Sequence, residues 1–88
     1  MKISSLIKDL ETTVNDNKDN PNVNQRFLRN CFQAMIDFKA MIIFHKINNR
    51  TVEIDKIHND SNGTKYIFDI LENGEFYNSE AHYINYYK

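Results

Sequence analysis

Glycine, proline, cysteine and tryptophan are almost missing from this 88-residue chain, which holds two, one, one and none of them. The single cysteine, Cys31, excludes a disulfide within the monomer. The histidines, His45, His58 and His82, are spaced too far apart in sequence to pair as ligands on one helix. Gly63 and Gly74 are isolated and cannot make a glycine-rich phosphate loop. No cofactor or metal is therefore expected. Long apolar runs are missing too, since nothing approaches the roughly 20 residues of a membrane span. The N-terminal stretch lacks the apolar run of a secretory signal and carries an acid by Asp9. The expectation is a cytoplasmic protein without membrane contact. In that compartment the Asn-x-Ser/Thr triplets at Asn49, Asn59 and Asn62 reflect asparagine richness rather than glycosylation.

A dominant charge is also lacking. The net charge is −1 and the isoelectric point is near 6.3. Nucleic-acid-binding domains more often exceed about 9, and a mimic of DNA would need a strongly negative surface. Residues 1–49 hold seven Lys/Arg and five Asp/Glu, and residues 50–88 hold four and seven. That asymmetry is too slight to specify a partner.

What the chain does have is an ordinary globular balance, 41% hydrophobic and 26% charged. Its length suits one domain over residues 1–88. The abundant Asn, Lys, Ile, Tyr and Phe share AT-rich codons, which points to a low-GC genome such as a firmicute, its phages or its plasmids. Domains this small often gain stability from a disulfide, a metal or another chain. With the first two set aside, self-association or a partner remains.

The pattern predicts an α+β fold. Ile3, Leu6, Ile7, Leu10 and Val14 recur in steps of three and four and predict a helix over 3–14. A polar loop follows, with Asn20 before Pro21. A second helix is expected over 22–46, capped by Asn22 and closed by Asn48-Asn49. Its apolar positions form two stripes, 27, 31, 35, 38, 42 and 28, 32, 36, 43. Together they make a face wider than one neighbour would cover, so this helix is expected to touch helix 1 and a sheet. Met41 to Phe44 also suit a buried strand, and a strand over 41–47 is the alternative. Alternating residues then predict a hairpin, 50–58 and 64–71, across the turn Asn59 to Gly63. Asn73-Gly74 is a second turn, with 75–77 as a candidate third strand. Ser79 is expected to cap a short C-terminal helix over 80–87, with a strand as the alternative reading of the same residues.

None of the chemistry-bearing residues forms a catalytic pattern. Cys31 falls on the apolar face of helix 2 and reads as a small hydrophobe. The carboxylates are scattered, with no pair marked as acid and base. An enzyme is not expected. Arg26 and Arg29 lie near the start of helix 2 beside Asn22, Asn24, Gln25 and Asn30, the residue types that read base edges. The loop before them is too long for a helix-turn-helix, so DNA or RNA binding is a secondary expectation. Phe76, Tyr77, Tyr83, Tyr86 and Tyr87 crowd the C-terminal segment. Tyrosine is enriched at interfaces, although such rings also close small cores.

The leading expectation is a small protein-binding module encoded by a phage or mobile element. It would inhibit a host protein or defence complex stoichiometrically, by occlusion, as anti-CRISPR proteins do. Its contact residues would be Tyr77, Tyr83, Tyr86 and Tyr87, then Arg26 and Arg29. A homodimer or larger self-assembly is a third expectation, resting on the wide apolar face of helix 2.

Overall fold

The computed structural model describes residues 2–88. Two helices, α1 (Ile3–Asn17) and α2 (Gln25–Ile47), precede three strands, β1 (Arg50–Asn59), β2 (Gly63–Glu72) and β3 (Glu75–Asn85). The strands form one antiparallel sheet in the order β1-β2-β3. The expected α+β class is shown.

The helices form where expected, with shifted ends. α1 continues beyond Val14 to Asn17, whose amide donates to the Thr13 carbonyl. Asn24, not Asn22, caps α2: its side-chain oxygen accepts from the backbone N–H of Arg26 and Phe27. Asn22 is held one turn earlier, where its N–H donates to Asn20 Oδ1. At the other end Asn48 N–H donates to the His45 carbonyl, and Asn49 takes the left-handed conformation at φ 61°. Met41 to Phe44 are therefore helical, and the strand alternative is set aside.

The first hairpin is fixed by Asp60, whose Oδ1 accepts the backbone N–H groups of Asn62 and Gly63. Those bonds, led by the one from Asn62, hold the Asp60 carboxyl below the usual carboxylate range. The second turn uses Asn73 at φ 53° and Gly74 at φ 80°. Positive φ at both centres gives the backbone twist that a two-residue hairpin needs.

The C-terminal helix expected over 80–87 does not form. Residues 80–85 belong to β3, which runs eleven residues and pairs with β2 along its length, and Tyr86 and Tyr87 lie beyond its end. The reason lies across the sheet. Ile84 and His82 pair with Thr64 and Tyr66 on the face toward the helices, while Ala81 and Tyr83 pair with Ile67 and Lys65 on the other. Each successive residue thus meets a suitable neighbour on alternate faces, and Ile84 is buried.

Both helices cover one face of the sheet. Leu6, Ile7 and Leu10 of α1 meet Cys31, Ala34, Met35, Phe38 and Met41 of α2, above Tyr66, Phe68 and Ile84. Phe38 and Phe68 are fully buried and cross edge to face at 5.1 Å. Edge-to-face contact suits the quadrupoles of the rings. Phe38 meets Tyr66 and His82 in the same way, at 5.4 Å each. The wide apolar face of α2 is only half used by this packing. Phe32, Ile36, Ile43 and Ile47 remain exposed.

Candidate functional site

The aromatic segment divides by position. Tyr86 belongs with the core: its ring meets Phe27 edge to face at 5.2 Å, and its hydroxyl pairs with Thr64 Oγ1 at 2.5 Å. Tyr83 lies on the outer face of the sheet beside Lys65 and over Gly63. Its hydroxyl donates to Asp60 Oδ1 at 3.2 Å, and partial desolvation followed by that bond raises its ionisation above the ordinary tyrosine range. Tyr87 is exposed and lines a shallow groove with Asn24, Phe27 and Tyr86. Tyr77 is exposed at the opposite end of β3. The segment therefore does not present one tyrosine patch.

The start of α2 is also largely committed to structure. Asn24 caps the helix, and the Gln25 amide donates to the carbonyls of Asn20 and Val23. The Asn30 amide donates to the carbonyls of Asn85 and Lys88, at 2.6 Å each, tying α2 to the end of β3. Arg26 and Arg29 stay exposed, but three of the amide side chains beside them are engaged within the fold.

The most organised polar cluster is at the other end of α2, and of its members only Tyr77 was expected from sequence to be a contact residue. His45, on the last turn of α2, is buried. Its Nε2 faces Glu80 Oε2 of β3 at 2.5 Å. Its Nδ1 accepts from Nε of Arg50, the first residue of β1, at 3.0 Å. Because Nδ1 accepts, the ring proton sits on Nε2 and is donated to Glu80. His82 Nε2 stands 3.9 Å from the other Glu80 oxygen.

The same arginine is packed by rings. Its guanidinium carbon lies 4.6 Å from the Tyr77 ring centroid and 5.7 Å from that of Phe44, both within cation–π range. A bulge helps to place Tyr77: the β2–β3 register shifts between Ile70–Asn78 and Leu71–Phe76, leaving Tyr77 without a direct partner. Arg50 is thus fixed by one hydrogen bond and two aromatic faces, and its Nη groups make no hydrogen bond to any described residue. Phe44 and Tyr77, whose rings flank it, are themselves exposed.

Cys31 and His45 are both committed to the fold. Burial pushes the Cys31 thiol up to about 11, which keeps it protonated and unreactive near neutral pH. His45 has both ring nitrogens engaged. Among the described residues no group of three or more His, Cys, Asp or Glu could hold a metal, and no helix is long and apolar enough to cross a membrane. A cleft of about 320 Å³ opens between α1 and the β1–β2 end, with Leu10, Cys31, Tyr66 and Ile84 among its walls.

Compared with protein-family models, with curated proteins and with solved structures, the chain matches none.

Proposed function

We propose that this protein is a non-enzymatic protein-binding module, and that it docks through the end of the molecule built around Arg50. The observation that carries the reading is the fixed guanidinium, with His45 holding Nε, Tyr77 and Phe44 flanking the planar group, and the Nη donors unspent. Arginine and aromatic residues dominate the energetics of protein interfaces. A pre-positioned fork also loses less entropy when it takes a carboxylate. The partner is accordingly a protein surface that offers an Asp or Glu side chain to Arg50 and apolar groups to Phe44 and Tyr77.

Action by contact also accounts for the disposition of the reactive groups. Cys31 is buried with a raised pKa, and His45 is tied on both sides. Occlusion of a host protein or defence complex, as anti-CRISPR proteins practise it, is the corresponding mechanism. The compositional bias toward AT-rich codons fits a low-GC host, its phages and its plasmids alike. Replacing Arg50 by alanine tests the reading: partner binding is lost while the fold persists, and binding that survives refutes it.

A further inference from the structure

The second stripe of α2 is covered only at Leu28, and beyond it, extended by Ala40 and Ile47, it leads to a different surface. Phe32, Ile36, Ala40, Ile43 and Ile47 are all exposed. At about 100° per residue they fall within about 80° of arc along the helix, nearly opposite Cys31, Phe38 and Met41. At about 1.5 Å per residue the stripe is about 23 Å long. α2 is therefore apolar on two faces, and the fold covers only one.

We infer that this stripe is the interface of a homodimer, in which α2 packs antiparallel against α2 of a second copy. The order of the residues is nearly the same read from either end. A two-fold axis between Lys39 and Ala40 sets Phe32 against Ile47 of the partner subunit and Ile36 against Ile43 of the partner subunit. Ala40 falls at the crossing point, where a small side chain lets the helices approach. An isologous contact requires this reciprocity, with each patch complementary to itself.

The area suits the same occupant. Phe32, Ile36, Ile43 and Ile47 are 47%, 42%, 59% and 75% exposed. With a large apolar side chain presenting on the order of 150–200 Å² when fully exposed, they offer on the order of 400 Å². That is the size of the largest apolar patch on a typical monomer, which is often a functional surface. Two copies, with Phe44 and the stems of Lys39 and Lys46 at the margins, bury on the order of 1,000 Å², about the threshold that separates a biological interface from a packing contact. The two Lys39 ammonium groups approach each other across the axis, so salt that screens them tightens the dimer. The stripe does not include Arg50, which it adjoins at Phe44, so Arg50→Ala is expected to leave the dimer intact.

Sedimentation equilibrium of the full chain, from micromolar to near-millimolar concentration, tests the inference. The wild type is expected at twice 10.5 kDa, with association strengthened by added salt. Ala40→Glu, at an exposed position, is expected to keep its helical circular dichroism and lose the dimer. Ala40→Cys is expected to cross-link to itself under mild oxidation far faster than Asp9→Cys on α1. A wild type that stays monomeric overturns the inference, as a stripe reserved for a foreign protein would produce. A dimer that Ala40→Glu leaves intact, or cross-linking at 40 no faster than at 9, overturns it equally.

Discussion

Arg50 Nε donates to Nδ1 of His45 at 3.0 Å, and this bond links the start of the sheet to the end of the long helix. The next bond, from His45 to Glu80, carries the link across to β3. The end of α2, the start of β1 and the distant strand β3 therefore converge on one buried imidazole. The same bonds that hold the fold at this end also aim the guanidinium outward.

His45→Ala should lower stability by about 1–3 kcal/mol, because Arg50 Nε and Glu80 lose their common partner. Glu80→Gln should cost less, since an amide oxygen still accepts from Nε2. Urea denaturation of the two variants checks the order. Equal costs would mean that the charge of Glu80, which an amide oxygen does not replace, carries the stabilisation.

Cys31 and Tyr66 predict how stability responds to alkali. Burial raises Cys31 from 9.0 to about 11. Burial, helped by the nearby Cys31 and Tyr86, raises Tyr66 from 10.0 to about 12. The unfolded chain therefore releases these protons first as pH rises. Their contribution to stability is fully present below pH 9 and is lost as pH climbs through 9 toward 12. The denaturant midpoint should fall between pH 8 and pH 10.5, and Cys31→Ala should reduce the part of the fall that begins near pH 9. A thiol reagent at pH 8 should label Cys31 only after denaturant is added.

The two glycines should respond differently to alanine. A Cβ at Gly63 would collide with the Ile84 carbonyl and crowd the Tyr83 ring. The backbone of β3 cannot yield cheaply, so Gly63→Ala should cost about 2–3 kcal/mol. Gly74 has open space around it but a φ of +80°, so alanine there should cost about 1–2 kcal/mol. Gly74→Asn should recover part of that loss, because asparagine tolerates left-handed backbone. Thermal unfolding of the three variants checks the ranking.

Local signals recovered most of the fold. The three-and-four spacing of Leu6, Ile7 and Leu10, the Asn48-Asn49 stop, and the turns at Asn59–Gly63 and Asn73-Gly74 are each written within a few residues. The C-terminal segment is different. Ala81 and Ile84 fit a helix as well as a strand, and the choice is made by β2, whose Thr64, Tyr66 and Lys65 pair with Ile84, His82 and Tyr83. The wide apolar face of α2 was visible in sequence, but which stripe the fold would cover was not. The Arg50 cluster was the least legible. Phe44, His45, Arg50, Tyr77 and Glu80 come from α2, β1 and β3, and only Tyr77 stood out, as one of several clustered aromatics. Tyr86, chosen for the same reason, is occupied by Phe27 and Thr64.

The most direct test of the central claim is paired affinity capture from a low-GC bacterial host, using the wild type, Arg50→Ala and Arg26→Ala, followed by titration of the purified captured protein against each. A hot-spot arginine contributes about 2 kcal/mol or more, which is about 30-fold in affinity. The account predicts a partner that binds the wild type and Arg26→Ala equally and Arg50→Ala at least that much more weakly, with circular dichroism unchanged. A partner that binds Arg50→Ala as tightly as the wild type would contradict it.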